Sequence, residues 1–249
     1  FVATVDRIDF SNETTSAPGN NLTQARESLA AVSNSSYGYF GGGDNAPGFA
    51  GGVTTVDRID FSNETFSAPG NNLPQARTGL AAVSSSSYGY FGGGNAPPNV
   101  DTVDRLDFSN ETLLLPGNNL PAGKSNSAAV STSSYGYFGG GSPNTVIVNR
   151  LDFSNETFSA PGKNLSQARS NLAATESNSY GYFAGGNYAI ATVDRLDFSN
   201  ETTSAPGSTM PYSSYGGGIA AFSSNSYGYF GGGTNGPNYT SRIRRLDFS

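Results

Sequence analysis

A seven-residue stretch, Tyr37-Gly38-Tyr39-Phe40-Gly41-Gly42-Gly43, recurs along the chain and limits its possible folds more than any other feature. It begins again at Tyr88, Tyr135, Tyr180 and Tyr227, with Ala184 replacing one glycine of the fourth copy. In a β-strand, alternation places the two tyrosines on one face and Gly38 and Phe40 on the other, so a large aromatic side chain of one copy can pack against the bare glycine of a neighbour. The chain is therefore built from an internal repeat.

A second motif gives the length of the repeat. Arg7-Ile8-Asp9-Phe10-Ser11 has counterparts that begin at Arg58, Arg105, Arg150, Arg195 and Arg245, so successive units are 45 to 51 residues long. Within each unit the order is constant: an Arg-x-Asp-Phe-Ser run, a Pro-Gly pair, a run of small residues such as Leu29–Val32, and then the tyrosine stretch. Four short apolar runs separated by turn residues predict four antiparallel strands per unit.

Four strands in a unit of this length are typical of a propeller blade, and the period matches the kelch class. The unit resembles a kelch repeat throughout the chain, with an aromatic strand that ends in glycines (Tyr37–Gly43) and a strand that ends in an aspartate (Val5–Asp9). The resemblance implies an all-β fold: a five-bladed β-propeller of kelch-like, four-stranded antiparallel blades. The chain departs from the family where kelch repeats usually carry tryptophan, at Thr15, Phe66, Leu113, Phe158 and Thr203.

We predict one domain that spans residues 1–249. Its units are 1–43, 44–94, 95–141, 142–186 and 187–233, followed by a closing strand at 234–249. We expect the ring to close by pairing of the N- and C-terminal strands, which leaves no open sheet edge. By this count one third strand, Val2–Phe10 or Ile243–Phe248, is surplus. Because the sequence stops within a repeat, we expect the chain to be part of a larger chain or assembly.

The composition argues against most catalytic chemistry. The chain has no cysteine and no histidine, so disulfides, thiolate chemistry and the commonest metal ligand and general base are absent. Among enzymes with propeller folds, a kelch-type copper oxidase needs those residues, and a sialidase-like hydrolase needs a tryptophan in its Asp-box. We therefore predict a protein that is not an enzyme and that uses no cofactor.

The recurring Asp-Phe-Ser-Asn-Glu run, which begins at Asp9, has oxygen atoms of the kind that calcium prefers. It lacks the dense acidic spacing of a calcium loop, and it lies where a kelch repeat has an ordinary hairpin turn. We interpret it as a turn and predict no metal site.

Charge and hydropathy exclude two further classes of partner. With 19 acidic and 13 basic residues the net charge is −6, so the chain lacks the basic surface that a nucleic acid requires. No apolar run is long enough for a membrane span. A surface rich in Ser, Asn, Thr and Gly favours an extracellular location, on a cell or a virus particle.

Variation among the five units points to a binding face. The turn after the third strand is almost invariant, whereas the loop between the second and third strands differs widely. These variable loops are Asp44–Thr55, Asn95–Thr102, Ser142–Ile147, Asn187–Thr192 and Thr234–Arg242. In an antiparallel blade they share one face with the crossings from the fourth strand to the next blade, and this face is our candidate binding face. The alternative is that exposed loops vary because nothing constrains them.

Four basic residues occupy matching positions just before the first strand: Arg26, Arg77, Lys124 and Arg169. The fifth unit has Gly216 there. At the mouth of a central channel they would form a partial ring able to hold a carboxylate, sulfate or phosphate. The alternative, which we favour, is structural: each pairs with an acid or carbonyl of the adjacent blade, and the repeated positions of Asp6 and Asp9 offer such partners.

The leading functional hypothesis is a non-catalytic structural, adhesive or recognition propeller that binds a protein or a glycan through its variable loops. Near-identical repeats of this type resemble those of bacterial and viral surface proteins, which suggests a decoration, a fibre or an adhesin. A carbohydrate-binding lectin is the alternative, with Tyr188, Tyr212 and Tyr239 stacking on sugars. A glycoside hydrolase is a third and less favoured hypothesis.

Overall fold

The computed structural model describes residues 1–46, 52–187, 190–205, 209–214, 218–235, 238–239 and 241–249. These residues form strands and loops, and five sheets follow one another in chain order around a central channel. The fold is therefore an all-β, five-bladed propeller of antiparallel blades, as the repeat predicts. A separate hairpin, β1 (Arg7–Asp9) and β2 (Thr14–Ser16), precedes the first blade.

The first blade contains β3 (Ala30–Ser33), β4 (Tyr37–Gly41), β5 (Val56–Asp60) and β6 (Thr65–Ser67). The second contains β7 (Ala81–Ser84), β8 (Tyr88–Gly92), β9 (Val103–Asp107) and β10 (Leu113–Leu114). The third contains β11 (Ala128–Ser131), β12 (Tyr135–Gly139), β13 (Val148–Asp152) and β14 (Thr157–Ser159).

The fourth blade contains β15 (Ala173–Glu176), β16 (Tyr180–Ala184), β17 (Ile190–Asp197) and β18 (Thr203–Ser204), and β19 (Thr209–Ser214) also pairs with β17. The fifth contains β20 (Ile219–Ser223), β21 (Tyr227–Gly232) and β24 (Ile243–Asp247), with a small hairpin of β22 (Thr234–Asn235) and β23 (Asn238–Tyr239) in its loop. The first strand of each blade is the innermost.

Adjacent blades interlock through the glycines of the tyrosine stretch. A Cβ atom built on Gly92 would lie 2.8 Å from the Phe138 ring of the next blade, and one built on Gly139 would lie 2.7 Å from Phe183. On the opposite side, a Cβ on Gly136 would lie 2.6 Å from Val83 of the preceding blade. Aromatic side chains thus pack against bare glycines of a neighbouring copy, but at the position of Gly41, whereas the position of Gly38 in later copies meets a valine. This packing buries the core between the blades.

A polar contact, which we call the glutamate clasp, joins the same neighbours at their outer part. Glu111 of the second blade accepts hydrogen bonds at Oε1 from the Tyr39 hydroxyl (2.9 Å) and from Arg58 Nη1 (2.7 Å) of the first. The Tyr39 ring also stacks on Phe108, with 5.5 Å between ring centroids. The clasp recurs at Tyr90, Arg105 and Glu156, and at Tyr137, Arg150 and Glu201.

A glutamate clasp also joins the N-terminal hairpin to the fifth blade. Tyr229 donates to Glu13 Oε1 at 3.1 Å, Arg245 Nη1 donates to the same atom at 2.7 Å, and Phe10 stacks on Tyr229. On its other side the hairpin reaches the first blade, where Arg7 Nη1 lies 2.6 Å from Glu64 Oε1. The hairpin therefore lies between the fifth blade and the first.

The prediction that the two ends of the chain meet is thus confirmed, and side chains make the contact. Strand β1 pairs with β2, and β24 pairs with β21, so each forms its own sheet in the part of the chain that the structure describes. One third strand is surplus to the five blades, as the strand count predicts, and it is β1, which lies in the separate hairpin. The hairpin docks by the same glutamate and phenylalanine contacts as a whole blade.

We predict that Tyr90→Phe lowers the free energy of unfolding by about 1.5 to 3 kcal/mol, because it removes a buried hydrogen bond to a charged glutamate. Tyr182→Phe is the matched control, since the Tyr182 hydroxyl has Ser177 as its hydrogen-bond neighbour instead of a carboxylate. Urea denaturation of both variants measures the difference. Equal losses would show that the bond to Glu156 is not what stabilises the junction.

Candidate functional site

The propeller has two different faces. One, the loop face, carries the variable loops and the crossings between blades; the other, the turn face, carries the turns within strand pairs. Isolated bridges between Glu27 and Asp44 and between Thr78 and Asn95 show the start of each variable loop beside the end of a crossing. The variable loops therefore share one face with the crossings, as predicted.

Neighbouring variable loops also contact each other. Asn99 Nδ2 donates to the carbonyl oxygen of Ser142 at 2.6 Å, and Asn187 Nδ2 donates to Asn144 Oδ1 at 3.1 Å. These bonds join the loops of the second, third and fourth blades. The described parts of these three loops are therefore linked to one another on the loop face.

A partial collar of backbone hydrogen bonds links the crossings of the first four blades on the loop face. Gly79 N donates to Ser28 O at 2.8 Å, Asn126 N to Gly79 O at 2.7 Å, and Asn171 N to Asn126 O at 2.8 Å. All four residues have positive φ angles between 52° and 67°. Glycine and asparagine tolerate this left-handed conformation best, which explains why they hold three of the four positions.

The four predicted cations are buried inside their blades and do not form an open ring at the channel mouth. Their exposed fractions are 3% for Arg26, 0% for Arg77, 5% for Lys124 and 0% for Arg169. Each side chain turns back into its own sheet, because its partner lies on the third strand of the same blade. The structure therefore does not place these four cations in a ring at the channel mouth.

The ion pairs use the position of Asp6, as the structural alternative predicted, although within one blade and not between two. Arg26 Nη1 lies 2.8 Å from Asp57 Oδ2, and Arg169 Nη2 lies 2.7 Å from Asp194 Oδ2. Arg77 pairs in the same way with Asp104. Carbonyl oxygens of the blade accept further hydrogen bonds from these side chains, such as the Phe183 oxygen at 3.0 Å from Arg169 Nη2.

In the third blade, both members of the ion pair are replaced. Lys124 Nζ donates to Asn149 Oδ1 at 2.9 Å and to the Phe138 carbonyl oxygen at 3.1 Å, so a neutral amide replaces the aspartate. Burial without a facing carboxylate lowers the pKa of Lys124 to about 8. In the second blade, burial raises the pKa of Asp104 above its ordinary value, against the opposing effect of Arg77.

The three predicted tyrosines have no structural account. Tyr188 lies outside the described residues, as does Gly216 at the fifth cation position. Tyr212 belongs to β19 and Tyr239 to β23, but their side chains lie outside the described part. Their role as sugar-stacking residues stays a prediction.

The Asp-Phe-Ser-Asn-Glu run forms a turn in each repeat, and its own side chains occupy its oxygen atoms. Asp60 Oδ1 accepts hydrogen bonds from the Ser62 backbone (2.8 Å) and hydroxyl (2.6 Å), and Asn63 Oδ1 accepts two from Thr65. These bonds to Ser62 lower the pKa of Asp60. Among the described residues, no group of three or more His, Cys, Asp or Glu side chains could hold a metal ion.

Sequence reasoning missed a carboxylate, Glu176, that lines the central channel. The inner strands line a cavity of about 370 Å³, and at its turn-face end four serines occupy matching positions: Ser33, Ser84, Ser131 and Ser223. The fourth blade has Glu176 there, half-buried, and burial raises its pKa to about 7. The signal was present in the sequence, since Ala173-Ala174-Thr175-Glu176 departs from the Ala-Ala-Val-Ser pattern.

Glu176 also borders a wider cavity of about 880 Å³ on the turn face. Turns of the third, fourth and fifth blades line it with hydroxyl and amide groups, including those of Thr132, Asn178 and Asn225. Among the described residues that line these two cavities, Glu176 is the only carboxylate. Among the described lining residues, Glu176 thus brings one carboxyl group next to serine hydroxyls and apolar side chains of the channel.

Comparison with known proteins does not assign the chain to a family. No protein-family model matches the chain, and no curated protein matches it. In the described part of the chain, no helix is long and apolar enough to cross a membrane.

We predict that Arg77→Met lowers the free energy of unfolding by about 3 to 5 kcal/mol, because it leaves Asp104 buried without a countercharge. The double variant Arg77→Lys/Asp104→Asn copies the pair of the third blade and should lose clearly less. Urea denaturation at pH 7 compares the two. A double variant as unstable as Arg77→Met would show that the pair is not exchangeable between blades.

We predict that Glu176 makes stability fall as pH rises. Its pKa is raised from 4.5 to about 7, so the folded state binds the proton more tightly than the unfolded chain, and stability is lost between these two values. Glu176→Ser should therefore gain on the order of 1 to 3 kcal/mol over the natural chain at pH 8 and nothing at pH 4. Denaturation at pH 4, 6 and 8 tests this, with Ser84→Ala as a control that should show no such pH dependence.

Proposed function

We propose that the chain is a non-catalytic recognition or adhesion propeller of kelch-like repeats, displayed on the surface of a cell or particle. It binds a protein or glycan partner through the loop face. The observation that carries the proposal is that the units differ mainly in the loops of one face, while the residues that build the blades repeat almost unchanged.

The scaffold beneath these loops favours binding. Buried pairs such as Arg169 and Asp194 fix each crossing to its blade, and the collar of backbone bonds joins one crossing to the next. Bonds between loops, such as that from Asn99 to Ser142, restrict their movement further. A preorganised surface loses less conformational entropy when a partner binds.

The chemistry of the loops favours a neutral, hydrogen-bonding partner. The loops of the second and third blades are rich in Asn, Pro and Thr, and Asp101 is the one charged residue between 95 and 102 and between 142 and 147. The exposed Ile147 adds an apolar contact. Such a surface suits a protein loop or an uncharged glycan better than a phosphorylated or strongly charged ligand.

A lectin is the more specific form of the same proposal. Amide and hydroxyl groups of the loops would bind sugar hydroxyls, and Tyr188, Tyr212 and Tyr239 would supply stacking surfaces. A glycoside hydrolase is disfavoured, because that reaction commonly uses two carboxyl groups across the scissile bond. Glu176 is the only residue with a carboxyl side chain among the described residues that line the channel cavities.

We predict that exchanging loop 142–147 for loop 95–102 weakens binding of a glycan or protein ligand by at least about tenfold, or roughly 1.4 kcal/mol. The exchange should leave the melting temperature nearly unchanged, because both loops already fit this scaffold. A printed glycan array and a panel of purified cell-surface proteins identify the ligand, and titration measures its affinity.

The matched control is Asn178→Ser, which gives a turn of the opposite face the residue found in other units. It should leave affinity unchanged. Loss of binding in Asn178→Ser together with normal binding of the loop exchange would move the site to the turn face. Binding to neither the array nor the protein panel would contradict the proposal.

A further inference from the structure

Glu176 faces the central channel, because alternation along β15 places it on the same side of the strand as Ala174. Ala173 and Thr175 point the other way and are buried, and a Cβ built on Gly228 of the fifth blade would lie 2.6 Å from Thr175. Ala174 and Glu176 are only half-buried, and both line the channel cavity. The inner end of the fourth blade therefore presents a carboxyl group to the channel.

This carboxyl group has no partner within the protein. In the part of the chain that the structure describes, no hydrogen bond or ion pair reaches it, and burial alone raises its pKa to about 7. The described residues that line the two cavities include no lysine and no arginine. A carboxyl group withdrawn from water without a countercharge favours a ligand that brings a positive charge.

Serine hydroxyls flank Glu176 on both sides. Strand β15 contacts β11 of the third blade and β20 of the fifth. These neighbours carry Ser131 and Ser223 at the position that matches Glu176, and all three residues line both cavities. The carboxyl group thus lies between two hydroxyl groups, which can accept further hydrogen bonds from the same donor.

Three more polar side chains surround the mouth of the channel at the turn face. They are the middle residues of three turns, Ser133, Asn178 and Asn225, and all are exposed. The first residue of each turn accepts backbone hydrogen bonds, as Thr132 Oγ1 does from Tyr135 N at 3.0 Å. The middle residues make no side-chain hydrogen bond in the described part of the chain, so their hydroxyl and amide groups are available to a ligand.

The combination of these groups narrows the chemistry of the ligand. An anion would meet an acid and no cation, and calcium takes about six to eight oxygen ligands, several of them from carboxylates. A neutral sugar would leave Glu176 without a countercharge. A simple alkylamine would leave the three turn residues without partners. An ammonium group on a ring that carries hydroxyl groups matches both sets.

We propose that the turn-face mouth of the channel binds an amino sugar whose amino group is free and not acetylated. The ammonium group donates hydrogen bonds to the Glu176 carboxylate and to the hydroxyls of Ser131 and Ser223. The sugar hydroxyls bond to the middle residues of the three turns. The third, fourth and fifth blades supply every one of these groups, on the face opposite the variable loops, so the proposal is independent of binding through the loop face.

The repeat sets the expected stoichiometry. The first, second, third and fifth units have serine at the position of Glu176, and a serine hydroxyl supplies no countercharge for an ammonium group. The chain should therefore bind one amino-sugar unit at this site, not five. Acetylation of the amino group removes its charge, so the site should discriminate against the acetylated sugar.

The test titrates the full chain at pH 7 with the β-1,4-linked tetramer of glucosamine, measured by isothermal titration calorimetry. We expect saturable binding of one tetramer per chain. The tetramer of N-acetylglucosamine has no ammonium group and should bind at least about tenfold more weakly. Spermidine has ammonium groups but no hydroxyl groups and should be weaker by a similar factor.

Matched variants separate this site from general attraction of a cation to an acidic protein. Glu176→Gln keeps the size of the side chain and removes its charge, so it should weaken binding of the glucosamine tetramer at least about tenfold. Glu176→Ser, which introduces the residue of the other units, should do the same. Glu27→Gln removes an exposed carboxylate from a crossing and should bind like the natural chain. Melting temperatures show that each variant is folded.

Four results would overturn the proposal: absence of binding, equal affinity for the acetylated tetramer, equal affinity for spermidine, or equal losses in Glu176→Gln and Glu27→Gln. Exchange of loop 142–147 for loop 95–102 should leave the affinity for the glucosamine tetramer unchanged. Failure of this site and failure of the loop-face proposal are therefore distinguishable.

Discussion

The missing side chains of the second-strand glycines are the constraint on which the ring depends. A Cβ at Gly92 or Gly139 would come within 3 Å of a phenylalanine of the next blade, so the blades approach as closely as a glycine allows. The fourth junction accommodates Ala184, which packs near Phe230. Because this contact sets the distance between blades, it also sets the width of the channel and the positions of the loops above it.

Polar contacts fix the alignment of adjacent blades and the positions of the crossings, which packing alone does not determine. The glutamate clasp aligns the outer parts of adjacent blades, and the buried cation pairs fix the crossings to the sheets. The charged groups of the cation pairs have little access to water, where an unpaired partner is costly, whereas those of the clasp are partly exposed. The joint change to Lys124 and Asn149 in the third blade is consistent with this, since both members of the pair differ together. The blades therefore tolerate substitution of a buried pair when both members change together, whereas the variable loops differ in sequence from unit to unit.

The repeat made most of the fold predictable. The alternation of Tyr, Gly and Phe indicated the strands and their contacts, and the position of Asp6 indicated the partners of the cations. The pairing of Arg77 within its own blade was not predictable, because spacing along the chain does not say whether a long side chain points to the adjacent blade or back into its own sheet. Glu176 was not predicted, because the units were compared by the residues they share, and a glutamate in place of serine in one unit does not appear in that shared pattern. The meeting of the two chain ends was predictable from the strand count, whereas the contacts of Glu13 and Phe10 with Tyr229 were not, because strand counting does not reveal side-chain docking.

The near identity of the clasps has a consequence for assembly. The tyrosine edge of any blade is chemically compatible with the glutamate edge of the first four blades and of the hairpin, so correct neighbours are distinguished mainly by the short connections between them. Two chains at high concentration can therefore exchange blades while keeping the same contacts, which is the condition for domain swapping. The contact of Glu13 with Tyr229 and Arg245 joins residues more than 200 positions apart. It is formed within one molecule only after all the intervening blades have taken their order.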